Sequence, residues 1–130
     1  MIVDASALVA IVRHEADYER VRNALADTVD PVRVASPNYL EAAIVIDARQ
    51  DPRASRTLDN LIAEFEIEIV PFTAELARFA REAYRDFGKG SGHQAKLNFG
   101  DCMAYALARS EREPLLYVGN DFSHTDVEAA

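Results

Sequence analysis

Short apolar segments alternate with longer helical stretches along this entire chain, and that alternation restricts the available folds more than any other feature. Residues 1–3, 32–35, 67–71 and 115–118 are apolar runs too short for buried helices, so they read as strands. Between them, helical patterns begin at residues 4–6 and cover about 14–26, 36–50, 54–65, 73–87 and 98–113. Several carry start or stop signals. Ser36-Pro37 reads as a hydroxyl cap followed by proline at the first helical position. Asp51-Pro52 breaks a helix, Thr73 and Asn98 read as caps, and Gly88 ends the helix before it. Strands separated by helices imply a mostly parallel sheet covered on both faces, an α/β class with three layers, α/β/α. Ligands of such sheets bind beyond the carboxyl ends of the strands.

At 130 residues the expectation is a single domain, residues 1–130, closing one core. Hydrophobic residues make up 49% of the chain and charged residues 28%, the balance of a soluble globular protein. No apolar run approaches the roughly 20 residues of a membrane helix. The N-terminus has neither the basic residues nor the cleavage site of a signal peptide. Cys102 is the sole cysteine, so no internal disulfide forms, and the cytoplasm is the expected location. A net charge of −8 argues against binding a nucleic-acid duplex through a uniformly basic surface. It leaves room for a nucleic-acid substrate if the acidic excess is concentrated around a bound cation.

Four carboxylates occupy the positions where such a cation would sit. Asp4 follows the first strand, Glu41 lies on the third helix, Asp101 starts the last helix, and Asp121 follows the last strand. All four can meet at one edge of the sheet. Each also has an ordinary reading. Asp4 and Asp121 suit a cap and a turn. Glu41 could be a solvated helix residue, although Ile44, Val45 and Ala48 make its flank apolar. Asp101 stands three residues after Asn98, the spacing of a capping box, with Ala104, Tyr105 and Ala108 on its flank. Asp126 is a weaker fifth candidate. Carboxylates converging beside apolar residues repel one another unless a cation compensates them, so an oxygen-ligand site for Mg²⁺ or Mn²⁺ is expected. The three histidines lack zinc spacing, and GKGSG lacks the P-loop pattern. Lys89, His93 and Lys96 on that glycine-rich loop suit a phosphate backbone or a plain solvated loop equally well.

The strand ending in Asp4-Ala5-Ser6, the helix bearing Glu41, the Asn98-Phe99-Gly100-Asp101 helix start and the late segment GNDFSHTD together resemble the PIN domain. Their order and the chain length are similar to the toxins of bacterial VapBC toxin–antitoxin systems, and the resemblance covers essentially the whole chain. It implies a PIN-like fold and a metal-dependent endoribonuclease that hydrolyses phosphodiester bonds in RNA. It also implies Asp4, Glu41, Asp101 and Asp121 as the catalytic, metal-binding set, with Mg²⁺ or Mn²⁺ as cofactor and Ser6 supporting Asp4. The partners it implies are a VapB-type antitoxin, an RNA substrate and a second copy in a homodimer, with no membrane. Two other readings stay open at this stage. One is a phosphohydrolase of haloacid dehalogenase type, which usually wants a second aspartate where Ser6 stands. The other is a regulatory module that binds Mg²⁺ without turnover.

Overall fold

A computed structural model describes all residues, 1–130. It contains β1 (Ile2–Val3), α1 (Ala5–Val12), α2 (Tyr18–Asp27), β2 (Arg33–Ala35), α3 (Ser36–Asp47) and α4 (Pro52–Glu64), followed by β3 (Glu68–Val70), α5 (Ala74–Phe87), α6 (Phe99–Glu111) and β4 (Leu115–Leu116). The four strands form one sheet in the order β3-β2-β1-β4, and every pairing is parallel. Ile2 pairs with Arg33 on one side and with Leu115 on the other.

This order explains the layers. The chain steps from β1 to β2 to β3 in one direction, and right-handed crossovers then place α1–α4 on one face. It returns past β1 to form β4, which puts α5 and α6 on the other face. Side-chain alternation serves both layers. Val3, Val34 and Leu116 enter the core beneath α1–α4, while Ile2, Ala35 and Leu115 enter the core beneath α5 and α6. The apolar stripes of α2 and α4, through Val21, Leu25, Leu58 and Leu61, are buried in the first core. The winding reverses between β1 and β4, the position at which sheets of this kind bind ligands beyond the carboxyl ends of their strands.

Several boundaries differ from the sequence expectation. The second helix starts at Tyr18 rather than near residue 14, because His14 takes a left-handed backbone (φ 51°) and its ring stacks on Tyr18 at 4.4 Å. Ser36 does not cap α3. It is already the first helical residue, Ala35 is the cap position without a side-chain bond, and Pro37 still falls where no intrahelical N–H is needed. That helix stops at Asp47, and Asp51 caps α4 by accepting from the Arg53 N–H at 2.9 Å. Thr73 and Asn98 cap as expected. Gly88 ends α5 through close approach rather than positive φ, since a Cβ there would strike the Tyr84 ring at 2.6 Å.

The glycine-rich loop after α5 is an ordered structure. Lys89 N–H donates to the Leu97 carbonyl (2.8 Å), Leu97 N–H donates to the Phe87 carbonyl (2.9 Å), and Ala95 and Leu97 are buried. His93 accepts from the Ala95 N–H through Nδ1 (3.1 Å) and packs edge-on to Phe87. It shapes the loop, while Lys89 and Lys96 stay exposed.

Candidate metal centre

Asp4, the first candidate, caps α1. It is 4% exposed, and its Oδ2 accepts from the Ser6 N–H at 2.9 Å and the Ser6 hydroxyl at 2.6 Å. The same hydroxyl accepts from the Val118 N–H at 3.0 Å. Ser6 is therefore a strut between the end of β1 and the segment leaving β4, which leads to Asp121. Burial holds the Asp4 pKa above its ordinary value, the bonds from Ser6 oppose the rise, and the charge of Asp121 adds to it.

For Asp101 the capping-box reading holds. Asn98 and Asp101 form a complete capping box: Asn98 N–H donates to Asp101 Oδ2 (2.8 Å), and Asp101 N–H donates to Asn98 Oδ1 (2.9 Å). The residue is nevertheless buried, at 8% exposure. Burial pushes its carboxyl up to about 6, against the Asn98 N–H, and the charges of Asp4, Asp121 and Glu41 all push the same way. Eight consecutive residues of α6, Asp101 to Ala108, are buried, so this helix runs through the protein with its acidic first turn at the site.

Glu41 is raised by burial and then by the charge of Asp4. Its carboxylate lies directly over Gly100, where any Cβ would collide with it, 2.9 Å from its Cδ. A side chain at residue 100 would displace this carboxylate. Asp121 is exposed in a turn after Gly119, which has φ 101°. Its charge reaches both Asp4 and Asp101. Asp126 is engaged elsewhere: it accepts from the Tyr105 hydroxyl (2.6 Å) and pairs with Arg109 (3.2 Å).

The charges of Asp4, Asp121 and Glu41 thus all act on Asp101, while Asp121 acts on Asp4 and Asp4 on Glu41. As placed, no three acidic, imidazole or thiol groups close into a ready cation cage. The donor chemistry still fits a hard dication. All four groups are oxygen donors, burial and mutual repulsion raise three of them, and a dication relieves both. Cys102, buried beside Asp101, has its thiol pushed up to about 11 by burial and then by that carboxylate, which makes it an inert core residue.

Sequence reasoning missed Asn38. It is wholly buried, its Nδ2 donates to the Gly100 carbonyl (3.0 Å) and, at longer range, to Asp4 Oδ1 (3.4 Å), and its Oδ1 has no partner. The available signal was its register. Asn38, Ala42 and Ile46 form the buried stripe of α3, and a polar residue there is out of pattern.

The family model described as PIN domain matches residues 1–128. The chain is a PIN domain. Among its relatives, Ribonuclease VapC28 of Mycobacterium tuberculosis is 55% identical over 130 residues, covering 100% of this chain and 97% of the relative. Ribonuclease VapC of Mycolicibacterium smegmatis is 47% identical, covering 99% and 98%. In three dimensions this PIN domain matches Mycobacterium tuberculosis VapC20, a Sarcin-Ricin loop cleaving toxin, with TM-score 0.78 and 17% identity over 99% of this chain and 97% of that one. Rickettsia felis VapBC2, solved on a DNA fragment from its promoter, matches with TM-score 0.75 and 14% identity, covering 99% and 96%. At those identities the structural likeness establishes the fold. It agrees with the three-layer α/β/α arrangement expected from the sequence.

Proposed function

We propose that residues 1–130 form one nuclease domain, an Mg²⁺- or Mn²⁺-dependent endoribonuclease that serves as the toxin of a VapBC-type toxin–antitoxin pair. Asp4, Glu41, Asp101 and Asp121 are its catalytic, metal-binding set. The observation that carries this reading is the electrostatic coupling of these four groups at the sheet's reversal point. It stands in a PIN domain 55% identical to a ribonuclease.

A dication held there supplies a water of lowered pKa and charge neutralisation at the scissile phosphate. The protein's own residues divide the remaining work. Ser6 and Asn38 fix the orientation of Asp4, and the capping box fixes one oxygen of Asp101 while leaving the other free. Glu41 and Asp121 are both exposed, which suits a role in orienting the attacking water. Nothing favours a phosphohydrolase of haloacid dehalogenase type, because the second aspartate it needs is Ser6, whose hydroxyl is already committed to Asp4 and Val118. Purified protein incubated with a mixed cellular RNA pool should give discrete new ends with Mg²⁺ or Mn²⁺ and none with chelator. An intact pool, with the protein folded and free of inhibitor, would move the assignment to a non-catalytic cation-binding module.

The partners follow from the same reading. A net charge of −8 suits a basic antitoxin segment that neutralises the carboxylates. No helix is long and apolar enough to cross a membrane, and we place the reaction in the cytoplasm. Leu40, Ile44 and Phe99 are exposed at 56%, 59% and 80%, beside adjoining apolar grooves of about 460 and 550 Å³. An apolar surface of this kind marks an interface. We assign it to a second copy of the chain, so Phe99→Glu should convert a dimer to a monomer by light scattering. A wild-type monomer would remove that assignment.

A further inference from the structure

We propose that Asn38 is a positioning residue of the cation site: its amide fastens the Asp4 carboxylate to the first turn of α6 and so sets the spacing of the two buried carboxylates. The inference rests on the metal-centre reading above and adds a residue to it.

Asn38 lies on the stripe of α3 that otherwise buries Ala42 and Ile46, where an apolar side chain is the stable choice. A carboxamide nitrogen carries two hydrogens, and both are directed at the site. One bond reaches the carbonyl of Gly100, the residue immediately before Asp101, at 3.0 Å. The other, at 3.4 Å, reaches Asp4 Oδ1, the oxygen that Ser6 leaves free. In return the fold keeps Asn38 Oδ1 buried without any partner. A side chain chosen for stability alone would not carry that unmet acceptor. One turn further along α3, the Glu41 carboxylate also approaches Gly100. The third helix is thus tied to α6 at Gly100 by the Asn38 hydrogen bond, next to Asp101. Supporting hydrogen bonds of this kind orient the groups that touch a metal, and their loss typically weakens binding by about 10–100-fold.

The test compares Mn²⁺ affinity by calorimetry with thermal midpoints in chelator, using the full chain. Asn38→Leu should bind Mn²⁺ at least about tenfold more weakly than wild type. Its midpoint in chelator should stay within a few degrees, because leucine fills the site and removes the unpaired oxygen. A merely structural role would instead lower the midpoint and leave the affinity of the folded protein unchanged. Asn38→Ala, which cannot clash, is measured below its midpoint with the same expectation, and it decides the question if the leucine variant does not fold. Wild-type affinity in the folded variants overturns the inference while the metal centre stands. A wild-type chain that does not bind Mn²⁺ overturns the metal centre, and this inference falls with it.

Discussion

Asp101→Asn should melt several degrees above wild type at pH 8 in chelator, although it removes a residue of the proposed metal centre. Burial pushes the Asp101 carboxyl up to about 6 from the ordinary 3.8. A folded pKa raised in this way means that the contribution to stability is fully present below about pH 4 and is lost as pH rises through about 6. The difference corresponds to at most about 3 kcal/mol at 1.36 kcal/mol per pH unit, and losing the charge at the helix N-terminus returns part of it. A net gain of about 2 kcal/mol is expected, or roughly 5–8 °C for a chain of this length. Asparagine can still accept from the Asn98 N–H, so the cap survives. The two proteins should converge near pH 4 and diverge by pH 7. A variant less stable than wild type at pH 8 would show that Asp101 is held ionised by a compensating group and is not strained by its acidic neighbours.

Carboxamide substitution of Asp4, Glu41, Asp101 or Asp121 should each lower the rate of RNA cleavage sharply, by roughly 10³-fold for the two buried positions. That factor equals about 4 kcal/mol of transition-state stabilisation, the scale of charge neutralisation by a bound dication. Glu41→Gln and Asp121→Asn should lose less, since both groups are exposed and water can partly replace them. Asp86→Asn is the matched control. This exposed carboxylate on α5 pairs only with its neighbour Arg85, and its loss should leave cleavage unchanged. Equal activity in the Asp4 and Asp86 variants at matched folding would remove Asp4 from the site.

The sheet and its layers were legible because the chain states them locally. Strands of two or three residues alternate their side chains between two cores, and Thr73, Asn98 and Asp51-Pro52 punctuate the helices where the structure does. What the sequence could not express was spatial. Ser36 resembles a cap, but β2 runs straight into α3, so Ala35 takes that position. His14 looks like helix and instead forms a left-handed turn held by a ring stack with Tyr18. The four carboxylates could be proposed because Asp4, Asp101 and Asp121 stand at or just past element ends and Glu41 has an apolar flank within α3. The capping bonds of Asp4 and Asp101 are compatible with the proposed metal role, because each helix-start bond engages one carboxylate oxygen and not the other. Asn38 and Gly100 escaped notice because their roles exist only where α3 crosses α6. Asp126, attractive in the segment GNDFSHTD, is held by Tyr105 and Arg109, one and two turns beyond Asp101 on α6.

One measurement joins the stability argument to the chemistry: cleavage of a cellular RNA pool at pH 8 by wild type and by Asp101→Asn, each with Mg²⁺ and with chelator. The protein described here should cleave as wild type with Mg²⁺ only, and the variant, though more resistant to heat in chelator, should leave the pool intact. Cleavage by the folded variant within a few-fold of wild type, or wild-type cleavage that persists in chelator, would contradict the four-carboxylate metal centre.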